Sequence, residues 1–148
     1  MILQPSDLNQ RIYGEIQTEI TRGDEAIAQR AIAMAIEEAK MYLHRFDLLQ
    51  LFGDDTSNPP IEATFRSEYL NAIIIDLAVW QLVKLGNPSI NYETCKFDYQ
   101  SALQKLKDIR DQKSQPPDWP YLDTTNLAKP PQGTTVFLKT NEKRRNSF

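Results

Sequence analysis

The 148-residue chain is poor in the residues that carry most enzyme and metal chemistry. It has one cysteine, Cys95, which excludes an intrachain disulfide and any multi-cysteine zinc site. Cys95 falls inside a helical pattern and is expected as a buried, inert thiol. The lone histidine, His44, has no spaced acids around it, so it reads as a surface residue or helix C-terminal cap, not a ligand or base. The five glycines never cluster, which excludes a glycine-rich phosphate loop. Asp54 and Asp55 lie beside Thr56 and Ser57 without the spaced acids of a calcium loop. Glu37 and Glu38 are adjacent, cannot both face one site, and read as a solvated face. Together these point to a chain with no catalytic residues, no metal, no cofactor and no small-molecule substrate.

Other classes are excluded by charge and run length. A formal net charge of −3 argues against a general polyanion binder, and so against nucleic acid. The segment MILQPSDLNQR has neither a basic start nor a long apolar run, which predicts no secretory signal and a cytoplasmic origin. The most apolar stretch, NAIIIDLAVWQLVKL at 71–85, is interrupted by Asp76 and Gln81 and closed by Lys84. A membrane span needs roughly 20 apolar residues with few charges. The stretch is therefore expected inside protein.

What the chain does have is helix. Ser6 before Asp7 reads as an N-cap, and Leu8, Ile12, Ile16 and Ile20 form a stripe every four residues. Gly14 should weaken or split that helix. Arg22-Gly23 breaks it, and Asp24 caps an alanine-rich helix running to Phe46. A short helix ends at Gly53, and the segment DDTSNPPIEAT is a loop. The next helix spans about Ala63 to Leu85, with Gly86 and Pro88 as its stop. It is apolar on nearly every side, which places it at the centre of a bundle, with Trp80 in the core. Asp76 then needs a partner, with Arg30, Lys40, His44, Arg45 and Tyr99 as candidates, unless it lies on a solvent strip with Lys84. Asn91 caps the last helix, whose stripe runs from Tyr92 through Cys95, Tyr99 and Leu106 to Ile109.

From Ser114 the composition changes. Pro116, Pro117, Pro120, Pro130 and Pro131 forbid helix, and GTTVFLKT has the clearest strand propensity. The expected architecture is an all-α bundle of about four to five helices over residues 1–112. An extended proline-rich arm, disordered or bound to a partner, follows over 113–148. Removing residues after Gln112 is expected to leave the melting temperature unchanged. The arm's apolar residues Trp119, Tyr121, Val136, Phe137 and Leu138 and its basic residues Lys143, Arg144 and Arg145 are the candidate partner-binding positions. Trp119 has two alternatives, folding back onto the bundle or docking on another chain.

The order of parts resembles a known family. An SDLNQRIY helix is followed by ITRGDEAIAQRAIAMAIEEAKMYLHRFDLLQLFG, then NAIIIDLAVWQLVKLGNP, then YQSALQKLKDI. Tyr42-Leu43 near the end of the alanine-rich helix, the segment Asp47 to Gly53, the internal Asp76 and the Tyr99, Ala102, Leu106 stripe carry the resemblance. It covers roughly residues 5 to 110 and is to the small Mu-like prophage proteins associated with head completion and the head–tail joint. The resemblance implies a non-enzymatic all-α adaptor below the portal of a tailed phage. Such an adaptor forms a ring with copies of itself and contacts portal and tail proteins. It is made in the bacterial cytoplasm and ends in the virion neck. A ring contact is heterologous, so each subunit shows two different faces. The alternative is a helical binding or regulatory module whose C-terminal tail captures a cellular partner.

Overall fold

A computed structural model describes residues 3–85 and 91–123. The fold is all-α: a 3₁₀ turn, Pro5–Gln10, then α1 Gly14–Thr21, α2 Glu25–Tyr42, α3 Leu48–Phe52, α4 Glu68–Leu85 and α5 Tyr92–Arg110. Among the described residues the only β pairing is two isolated bridges, Phe46 with Tyr121 and Asp54 with Ile61. The expected stop at Gly86–Pro88 and the strand-prone GTTVFLKT lie outside the described residues.

Local chemistry accounts for most boundaries. The N-terminal helix is split, as expected, but at residues 11–13, and Gly14 opens α1. Its first part begins at Pro5, where the Asp7 carboxylate accepts from Gln4 N at 2.8 Å. Arg22 and Gly23 both take positive φ, 54° and 76°, and end α1. The Asp24 carboxylate accepts from Ala26 N at 2.9 Å and starts α2. Asn91 does the same for α5 through Thr94 N at 3.2 Å.

Three boundaries differ from the sequence reading: the first turn starts at Pro5 with Gln4, not Ser6, at the N-cap position, and the other two follow. α2 stops at Tyr42, short of Phe46, because Asp47 is needed in extended backbone to cap α3, accepting from Leu49 N and Gln50 N. α4 begins at Glu68 rather than near Ala63. The amides of Thr64 and Phe65 are held by the Gln50 carbonyl, and Ser67 Oγ accepts from Leu70 N at 3.3 Å instead.

Gly53 closes α3 with φ +70°, and a Cβ there would collide with the Ile61 carbonyl and come within 2.8 Å of Ala63 N. Both neighbours are backbone and cannot rotate away. Gly53→Ala is expected to cost about 2–4 kcal/mol, combining left-handed strain with overpacking. A chemical denaturation curve for the variant measures it.

α4 is the centre of the bundle. Every residue from 73 to 83 is buried, with α2 packed on one side and α5 on the other. Alanines 28, 31, 35 and 39 on α2 are fully buried, and their small side chains let α4 approach closely. Leu3, Leu8 and Ile12 from the N-terminal segment complete the cover. Among the described residues no helix is long and apolar enough to cross a membrane.

The arm departs from expectation. Trp119 is only 5% exposed and sits edge-on against Phe46, with ring centroids 5.3 Å apart. Tyr121 also stacks on Phe46, with ring centroids 4.9 Å apart. Asp47 N donates to the Pro120 carbonyl at 2.9 Å and Leu122 N to the Arg45 carbonyl at 3.1 Å. Residues 119–122 are therefore part of the bundle, and the boundary at 112 is corrected. Prolines forbid helix there, but an extended segment can still carry a large aromatic side chain into a core.

Candidate functional site

Two polar groups of the bundle, buried Asp76 and half-buried Glu38, are held by partners from other elements. Asp76 is 7% exposed, and Arg11 Nε meets its Oδ1 at 2.6 Å. The partner is none of the five candidates from the sequence. It comes from the turn between the 3₁₀ segment and α1, which the helical stripe did not place against α4. Burial pushes the Asp76 carboxyl up, and Arg11 opposes this without cancelling it.

Glu38 is half-buried, and the reading of it as a solvated residue is corrected. Its Oε1 accepts from Tyr99 OH at 2.8 Å and its Oε2 from Gln81 Nε2 at 3.4 Å, so one carboxylate ties α2, α4 and α5. Trp80 stacks on Tyr99 at 5.4 Å and tilts against Tyr92 at 5.0 Å. Burial and the Glu38 carboxylate push the Tyr99 hydroxyl up to about 12. The fold thus favours the neutral phenol. Its contribution is whole below an ordinary tyrosine value near 10 and is lost as pH rises through about 12. Tyr99→Phe is expected to cost about 1–3 kcal/mol at neutral pH. It should also remove part of the stability loss between pH 10 and 12, measured by urea unfolding across that range.

The remaining chemistry-bearing residues are locally occupied or isolated. Asp54 accepts from Thr56 N, Thr56 Oγ1 and Ser57 Oγ, which holds its carboxyl down to about 2. Cys95 is half-buried, and burial pushes its thiol up. His44 is exposed in the turn after α2. Among the described residues no three His, Cys, Asp or Glu side chains are grouped to hold a metal ion.

Of the candidate partner-binding residues, Trp119 is packed into the chain's own core. Tyr121 covers Phe46 while remaining about half exposed. Val136, Phe137, Leu138, Lys143, Arg144 and Arg145 lie outside the described residues. The surfaces with unspent apolar area are elsewhere. On α2, Ile27, Met34 and Met41 recur every seven residues along one edge of the buried face, with Met34 56% and Met41 69% exposed. A groove of about 670 Å³ runs beside this stripe, floored by Ile20, Ile27, Ala31 and Met34. Arg22, Arg30 and Lys84 stand on its rim. On α5, Phe97 is 69% exposed, opposite the Ala102, Leu106 and Ile109 face that packs on the core. The legible signals were the seven-residue spacing on α2 and an aromatic residue lying off the apolar stripe of α5.

No protein-family model, curated protein or solved structure matches the chain.

Proposed function

We propose that the protein is a non-enzymatic structural subunit of a tailed phage or prophage. It joins the head, at the portal, to the tail as an adaptor or head-completion protein in the virion neck. The observation that carries the reading is a closed helical core that leaves large apolar side chains exposed on several elements, among them Met34 and Met41 of α2 and Phe97 of α5. An adaptor in a ring needs two unlike lateral faces and no active site. The order of helices and the residues that resemble the Mu-like prophage head-completion proteins support the same reading. The arm beyond residue 123, with Val136, Phe137, Leu138 and the basic run at 143–145, contributes contacts to portal or tail proteins. A cellular binding module would need one capture surface. Exposed apolar side chains on more than one helix favour the adaptor.

The test is genetic and structural. Deleting the coding sequence from a functional phage that carries it should yield filled heads and separate tails. Cryo-electron microscopy of wild-type particles should place the chain between them. Normal tailed particles from the deletion would sink the proposal.

A further inference from the structure

The α2 groove and the outer face of α5 are complementary. The groove offers an apolar floor, with Ile27 half-buried and Met34 exposed, below three cations. Arg22, Arg30 and Lys84 form no ion pair among the described residues. The α5 face offers the reverse. At helical spacing Glu93, Phe97, Gln104 and Asp108 share one side, with the lysines of α5 set to either flank. Gln104 Nε2 donates to Asp108 Oδ1 at 2.8 Å, which leaves that carboxylate's second oxygen for another donor. Phe97 is the large apolar side chain of this face and spends little of its area on its own chain.

We infer that these two faces bind one another between copies: Phe97 of one subunit enters the α2 groove of the next, and Glu93 and Asp108 meet its cationic rim. A second copy is the occupant because the same chain carries both halves, matched in apolar character and opposite in charge. A buried aromatic ringed by charged pairs is the usual make-up of an interface hot spot. The two faces share no residue, so the contact is head-to-tail and repeats from subunit to subunit until a ring closes. The inference rests on the adaptor reading for that closure alone.

The experiment uses the full chain and two variants, Met34→Glu and Phe97→Arg, both at exposed positions. Circular dichroism checks that each still folds. In sedimentation velocity from micromolar to millimolar concentration, the wild type should form a growing series of oligomers. Each variant should associate at least about thirtyfold more weakly, the loss of one hot-spot contact. Mixed together, the variants should form a one-to-one complex, because Met34→Glu keeps its α5 face and Phe97→Arg keeps its groove. A wild type that stays monomeric to millimolar concentration overturns the inference, as does a mixture that fails to pair while the wild type associates. A variant that associates like the wild type overturns it too. If the mixture pairs but particles lack the protein, the phage reading fails and the contact stands. If the protein sits in the neck but the mixture does not pair, the contact fails and the phage reading stands.

Discussion

Trp119→Ala should lower the melting temperature on the order of 10 °C, through a loss of about 3–5 kcal/mol. The indole is 5% exposed and packs edge-on against Phe46. Its removal leaves a cavity beside the Phe46 ring. A chain ending at Gln112 should lose as much or more, since it also lacks the Pro120 carbonyl that accepts from Asp47 N. A chain ending at Asp123 keeps both contacts and is the matched control. Thermal melts followed by circular dichroism decide the matter. Equal melting temperatures for the two truncated chains would mean that residues 119–122 add nothing to the fold.

The second large effect is expected at Trp80. Its ring joins α4 to α5 through Tyr92 and Tyr99, and Tyr99 continues the connection to Glu38 on α2. Trp80→Ala should cost about 3–5 kcal/mol. Because Trp80 and Tyr99 share a network, the double variant with Tyr99→Phe should lose less than the two single losses added together. Denaturant titration of the four proteins gives the coupling directly. Strict additivity would mean that the Tyr99 hydroxyl's bond to Glu38 does not depend on Trp80.

The parts of the fold legible in the sequence are those decided by neighbours along the chain. Asp24 and Asn91 cap the helices that follow them, Gly53 ends α3, and a helix apolar on all sides sits at the centre. Each of these rests on one residue's chemistry or on a short period. The residues misread are those decided by a partner far away in sequence. Arg11 reaches Asp76 only because the N-terminal turn folds over α4. Glu38 reads as surface until Tyr99 and Gln81 arrive from two other helices. Trp119 lies among prolines that forbid helix, and composition cannot distinguish an extended segment that docks from one that does not. The candidate faces on α2 and α5 fall in the same class. Met34 and Phe97 read as ordinary helix residues until the core is closed without them.

The docking of Trp119 and Tyr121 on Phe46 also sets an order in time. It joins two points separated by most of the described chain, so closing that loop costs more entropy than any helix pair adjacent in sequence. The clasp is expected to form after α2, α4 and α5 have collapsed and to open before those helices do. In native-state hydrogen exchange, the amides of Asp47 and Leu122 should open together, at lower free energy than those of α4, while the helices stay protected. The protein thus has a fastening that can be released without dissolving what it fastens.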